Sequence, residues 1–201
     1  MSVLLDAGPS LNFLAAGQQN ILIKIAEAGR LQLAAPERVD AEILGMSNDQ
    51  RFRGTAVRRT WTALKASRRV EILPDSLASR QFADAVTRIA GMPAQDRVRS
   101  RKSLGEIMVL AHASTFVQQG HDVYVLLDDG DGRRRAAREM QWLRSQGHHS
   151  GFDLWATRRV LQEAGRHEGW IKGDQTWEQV YDQMTAFDDG LLPRSAWQKR
   201  L

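Results

Sequence analysis

Apolar residues recur along this chain in two alternating rhythms. Short runs rich in aliphatic residues have the length and content of strands: Val3-Leu4-Leu5, Leu31-Gln32-Leu33-Ala34-Ala35, Val70-Glu71-Ile72-Leu73 and, clearest of all, Val123-Tyr124-Val125-Leu126-Leu127. The last has no polar alternation, which is the mark of a strand covered on both faces in a parallel sheet. Between these runs the spacing turns helical. Ile21, Leu22, Ile25 and Ala28 share one face of a helix over 20–28, stopped by Gly29. Val39, Ile43 and Leu44 follow a start at Pro36, and Leu77, Phe82, Val86 and Ile89 lie on a helix that Ser76 caps and Gly91-Met92-Pro93 breaks. A helix over 103–119 ends at Gly120, and residues 49–69 are expected as one continuous helix. After Asp128-Asp129-Gly130-Asp131-Gly132 an Arg-rich helix runs to about 145, and helices near 152–164 and 174–187 complete the chain.

Strands alternating with helices predict an α/β fold, a three-layer α/β/α sandwich with a mostly parallel central sheet. Its crossovers are right-handed by default. We expect one domain over 1–190, with 49–69 as a basic helical elaboration and 191–201 as a tail. Ligands in such sheets bind beyond the carboxyl ends of the strands, so strand-end residues carry the functional information.

Two of those ends are acidic. Asp6 ends the first run, and Asp128-Asp129 end the strongest later one, so a parallel sheet brings them to one edge. Glu42 lies inside a helix that follows a strand, and Glu106 in the first turn of the helix after Ser103. Each has an ordinary alternative: Asp6 as a helix cap, Glu42 as a solvated acid, Glu106 as half of a Ser103-x-x-Glu106 capping box, Asp128-Asp129 as turn residues. Together they form a set of oxygen donors suited to a hard divalent cation such as Mg²⁺. Such ions assist phosphodiester cleavage by acidifying water and stabilising the leaving oxygen.

Composition narrows the choice. The 201 residues include no Cys, which excludes disulfides, thiolate metal sites and a cysteine nucleophile. With 28 Lys and Arg against 24 Asp and Glu, the net charge is only +4, but the bases are clustered. Residues 51–70 carry Arg51, Arg53, Arg58, Arg59 and further bases without one acid. Arg97, Arg99, Arg101 and Lys102 form a second group, and Arg133, Arg134, Arg135 and Arg138 a third. Arg-rich clusters suit bidentate contacts to phosphates, with Lys102, Arg58, Arg59 and Arg134 as substrate-binding candidates. No run approaches the ~18–20 apolar residues of a membrane span, and no basic segment opens the chain, so a soluble cytoplasmic protein is expected. Gly130-Asp131-Gly132 is only a fragment of a dinucleotide-binding loop, Gly-x-Ser-x-Gly is absent, and Gly8 stands where an Asp-x-Asp phosphotransferase needs its second acid. His121, His148 and His149 fit no metal-ligand spacing. Trp142, Trp155, Trp170, Trp177 and Trp197 are expected in packing.

The motifs Leu4-Leu5-Asp6-Ala7-Gly8-Pro9 with Leu11-Asn12-Phe13, Val39-Asp40-Ala41-Glu42, Leu104-Gly105-Glu106, and Val125-Leu126-Leu127-Asp128-Asp129 ahead of Arg135-Ala136 resemble, in this order, a PIN domain. The likeness is to the VapC-like toxin ribonucleases whose third motif is Gly-Glu and whose fourth is a strand ending in Asp-Asp. The resemblance spans roughly 1–190. It implies an Mg²⁺- or Mn²⁺-dependent endoribonuclease, a toxin of a toxin–antitoxin pair, with RNA as substrate, an antitoxin protein as partner and a homodimer as assembly. It implies Asp6, Glu42, Glu106 and Asp129 as catalytic acids, with metal held among Asp6, Glu106, Asp128 and Asp129, and Asp129 favoured over Asp128. Asp131 is a further candidate acid, and Asn12 is expected as a surface or cap residue, with a supporting hydrogen bond to the site as the alternative. The basic stretch 49–69 and the overall length exceed those of a minimal toxin of this type. The reading from another class is a non-catalytic nucleic-acid- or protein-binding module on the same fold.

Overall fold

The structure, a computed structural model, describes residues 1–188 and 190–200, the last three as backbone only; Leu201, the end of the expected tail, lies outside the described residues. Its first half runs β1 (Ser2–Leu5), α1 (Ala7–Ala15), α2 (Gln19–Gly29), β2 (Gln32–Pro36), α3 (Glu37–Met46), α4 (Val57–Ala66), β3 (Val70–Leu73), α5 (Arg80–Ala90) and α6 (Ala94–Arg97). The second half runs α7 (Leu104–Gln118), β4 (Val123–Leu126), α8 (Gly130–Ser145), β5 (Phe152–Trp155), α9 (Thr157–Ala164) and α10 (Trp177–Thr185). Short 3-10 helices occupy Gln50–Phe52 and Arg194–Arg200.

The five strands form one sheet in the order β3-β2-β1-β4-β5, every pair parallel. Helices α5, α7 and α8 pack together on one face, and α1, α2, α9 and α10 on the other, giving the expected three-layer α/β/α sandwich. The central strands are sealed from both sides: Leu4, Val125 and Leu126 have no exposed surface, which is why their sequences lack alternation. Helix α7 lies between sheet and neighbours and is buried from Leu104 to Thr115, so its apolar residues go nearly all the way round. No helix among the described residues is long and apolar enough to cross a membrane.

Four boundary expectations need correction. Residues 49–69 are not one helix. The Asp49 side chain accepts from the Arg51 amide at 2.9 Å and caps the 3-10 turn, and Gly54, at φ +81°, bends the chain before α4 begins. There, buried Trp61 donates to Asp40 Oδ1 at 2.7 Å, and Lys65 Nζ reaches the same oxygen at 2.6 Å, fastening α4 to α3. The cap of α5 is Ser79, not Ser76, whose hydroxyl accepts from the Ala78 amide in a local turn instead. Residues 152–155, expected as helix, form the edge strand β5. Its four residues are too few to display a period, and Asp153 interrupts the apolar run. The last helix starts at Trp177, because Thr176 and Gln179 make a reciprocal capping box. Trp61 is fully buried, and the five tryptophans of the last third pack partly buried against the core.

Candidate functional site

The sheet order reverses at β1: the chain travels from β1 to β2 and β3 on one side, then returns to place β4 and β5 on the other. In open parallel sheets such a reversal leaves a crevice beyond the carboxyl ends of the flanking strands, here β1 and β4, where Leu5 and Leu126 are register partners. Asp6 is the next residue after β1, and Asp128-Asp129 follow β4.

Asp6 occupies the N-cap position of α1 but makes no side-chain capping bond there. Asp129 does cap, its Oδ1 accepting from the amides of Asp131 at 2.7 Å and Gly132 at 2.9 Å. Asp128 is committed elsewhere. Its two oxygens accept from the Thr157 amide at 2.8 Å and the Thr157 hydroxyl at 2.5 Å, tying the end of β4 to the start of α9. The capping box that is the alternative reading of Ser103 and Glu106 does not form. Ser103 sits in the left-handed region at φ 51° with no side-chain cap bond, so Glu106 turns inward, its residue only 8% exposed. Glu42 reaches in from α3, with Arg38 Nε 3.1 Å from its Oε1.

Two glycines make room for this convergence. A Cβ on Gly105 would sit 2.4 Å from Glu42 Oε2, and one on Gly132 would sit 2.7 Å from Glu106 Cδ and 2.9 Å from Leu127 Cδ2. The Gly105 contact is with a carboxylate end; the Gly132 contacts are with two buried side chains, Glu106 and Leu127. Gly132→Ala is therefore expected to cost about 1–3 kcal/mol by overpacking and to displace Glu106. Urea denaturation checks the first effect and metal titration the second.

The electrostatics follow from crowding. The carboxyl of Asp6 is pushed up to about 7: burial is the main cause, the Ala7 amide opposes it, and the charges of Glu42 and Glu106 add to it. Glu106 is also pushed up to about 7, by burial first and then by the charge of Asp129, while Arg135 pulls the other way. Arg135 Nε lies 3.3 Å from Glu106 Oε1 but outside hydrogen-bond geometry, which leaves that buried oxygen without a donor. Burial also raises Asp128, Thr157 opposes, and Asp188 adds to the rise.

Asp188 is the acid that sequence reading missed. It arrives after α10, accepts from Asn12 Nδ2 at 2.7 Å, and faces Gly8, whose added Cβ would lie 3.8 Å from Asp6 Oδ2 and 4.0 Å from Asp188 Oδ2. Asn12, expected at the surface or as a cap, is instead buried and makes the alternative hydrogen bond, with Asp188 as its partner. A signal existed: Asp188-Asp189-Gly190 repeats the Asp128-Asp129-Gly130 pattern. The basic excursion supports this corner, since Phe52 stacks on Phe187 at 6.1 Å between ring centroids and Arg51 Nη1 donates to the Phe187 carbonyl at 3.5 Å.

No family model, curated protein or solved structure matches this chain.

The remaining expected residues divide by place. Arg58 and Arg59 line an open hollow of about 590 Å³ beside Ser47 and Thr55, away from the acids. Lys102 is exposed, and its carbonyl accepts from buried Arg97, whose guanidinium also donates to the Ser100 carbonyl at 2.7 Å. Arg134 is paired to Asp131, which takes that acid out of the cluster. The donor chemistry at the crevice fits a hard divalent cation: all carboxylate oxygens, one of them buried without a hydrogen-bond donor, and two carboxyls that burial pushes up to about 7. The grip is not closed, however, because among the described residues no three Asp, Glu or His side chains are drawn together tightly enough to hold one ion.

Proposed function

We propose that this chain is a divalent-metal-dependent endoribonuclease on a PIN-like fold, acting as the toxin of a toxin–antitoxin pair. The observation that carries the reading is the pair Asp6 and Glu106. They come from the end of β1 and from α7, lie at the switch point of the sheet, and are both pushed up to about 7, chiefly by burial, with the charges of Glu42 and Glu106 adding at Asp6 and that of Asp129 adding at Glu106. Charges crowded into a crevice at such cost are a hallmark of functional sites. Asp6, Glu106 and Asp129 would hold Mg²⁺ or Mn²⁺, which would supply Lewis acidity and offset the charge of the phosphate. Glu42, steadied by Arg38, borders the same space and orients polar groups in it. Arg135 and, from further inside, buried Arg97 bring positive charge toward Glu106, and Arg135 would offer it to a phosphodiester.

The test is cleavage of end-labelled single-stranded RNA by purified protein in Mn²⁺, in Mg²⁺ and in EDTA, with Glu106→Gln carried through the same purification. Cleavage that needs metal and vanishes in the variant is expected. Equal cleavage by variant and wild type would trace the activity to a contaminant and remove the reading. A second reading rests on the unclosed grip of the acids: the same fold and basic surface would bind RNA or protein without cutting. Calorimetric titration with Mn²⁺ separates the two, since a pure binding module has no use for a carboxylate cage.

A further inference from the structure

The nuclease reading leaves one arginine-rich feature without a role. A cavity of about 340 Å³ lies between α5 and α8, walled by Arg88, Ile89, Ala90 and Gly91 on one side and by Arg135, Arg138, Glu139 and Trp142 on the other. Its parts are fixed in place. The Arg88 guanidinium lies over the Trp142 ring at 3.4 Å from the centroid and donates to both oxygens of buried Glu139. Arg135 Nη1 donates to the Ile89 carbonyl at 3.2 Å while its Nε faces Glu106 at 3.3 Å. One side chain therefore borders both the acid crevice and this cavity.

Helical spacing makes the connection continuous. Gly132, Arg135, Arg138 and Trp142 are three, three and four residues apart, so they follow one face of α8. The face starts against Glu106 and runs roughly 15 Å at 1.5 Å per residue. Its charge is positive: Glu139 is satisfied by Arg88 and by the Ser114 hydroxyl at 2.5 Å. Arg138 is exposed and, among the described residues, enters no ion pair. A guanidinium free to make two hydrogen bonds, beside an apolar wall and an aromatic ring, is a combination suited to a nucleotide: phosphate on one side, ribose and base on the other.

We propose that this cavity is a subsite for the RNA strand, in which Arg138, with Arg135, holds a backbone phosphate flanking the one at the acid crevice, and the attached nucleoside rests on Ala90 and Gly91. The proposal rests on the nuclease reading for the direction of the strand but predicts a separate property, affinity. Arg138 is the residue to change, because it is exposed and pairs with nothing that its loss would strand. Binding of end-labelled single-stranded RNA is measured by fluorescence anisotropy in EDTA across a series of KCl concentrations, for wild type, Arg138→Ala, Arg138→Glu and the control Arg166→Ala. Arg166 follows α9, in the other helical layer, and pairs with Glu163. The expected result is a loss of about three- to tenfold in affinity for Arg138→Ala, more for Arg138→Glu, and a log–log salt slope shallower by about 0.7, the value of one single-strand phosphate contact. The control keeps the wild-type slope.

Arg138 variants that bind RNA with wild-type affinity and slope would overturn the subsite, and so would a wild type that binds no RNA. A wild type that cleaves RNA while its Arg138 variants bind unchanged removes the subsite and leaves the nuclease. A wild type that binds with the expected slopes yet never cleaves in Mn²⁺ removes the nuclease and leaves the subsite.

Discussion

Replacing Asp6 by Asn is expected to abolish metal-dependent cleavage, by at least ~100-fold, and at the same time to make the protein more stable in EDTA at neutral pH. Both effects have one cause. A carboxyl pushed up to about 7 is a charge held where burial and the neighbouring Glu42 and Glu106 oppose it. Asparagine keeps the shape and removes the charge. Loss of a donor from the proposed cation site would account for the loss of cleavage, since ligands acting as a unit fail together.

The sign of the pH dependence follows. In the unfolded chain Asp6 and Glu106 release their protons near 3.8 and 4.5, and in the folded chain both release near 7. Between these limits the native state binds more protons than the unfolded one, so stability is complete below about 4, falls as pH rises, and levels off above about 7. Thermal melts of the wild type in EDTA should show a lower Tm at pH 8 than at pH 5, with a smaller drop for Asp6→Asn. At pH 8 the variant should exceed the wild type by about 1–2 kcal/mol, which is roughly 2–8 °C for a domain of this size. Adding Mn²⁺ should raise the wild-type Tm by mass action and leave the variant nearly unmoved. A variant less stable than the wild type at pH 8 would mean that the Asp6 charge is compensated after all.

The largest loss of stability should come from Arg88→Ala, at about 3–5 kcal/mol. Glu139 is 2% exposed, and its charge is held by Arg88 Nε at 2.9 Å, Arg88 Nη2 at 2.5 Å and the Ser114 hydroxyl. These three residues come from α8, α5 and α7, so the network fastens the whole layer on that face of the sheet. Removing the arginine strands a buried carboxylate. Replacing both partners, as Arg88→Met with Glu139→Leu, removes the stranded charge and should recover at least half of the loss. Urea midpoints of the two single variants and the double variant measure this as a coupling energy. If the double variant is as unstable as the sum of the singles, the pair is not the clamp described.

Much of this was legible in the sequence, and the failures have identifiable physics. The central strands were readable because burial on both faces leaves unbroken apolar runs at Val3–Leu5 and Val123–Leu126. The edge strand β5 was not, because four residues carrying Asp153 display neither a run nor an alternation. Asp6, Glu42, Glu106 and Asp129 could be placed at one edge from topology alone. Neither the withdrawal of Asp128 to Thr157 nor the arrival of Asp188 could, since each depends on a contact made at long range, 29 residues away for one and 176 for the other. Local rules also misled. Ser103-x-x-Glu106 has the letters of a capping box, but the left-handed backbone at Ser103 aims its hydroxyl elsewhere.

The register of β1 against β4 also has a consequence for biosynthesis. Leu5 finds its partner Leu126 only after some 120 further residues have been made. At roughly 5–20 residues per second, the nascent chain waits roughly 6–24 s for that strand. Throughout that interval the most apolar strand of the protein can pair with β2 on one side only, while its other edge stands open to any passing strand. Translation speed between residues 5 and 126, and the chaperones that meet the chain in that window, should therefore govern how much of this protein reaches its native state.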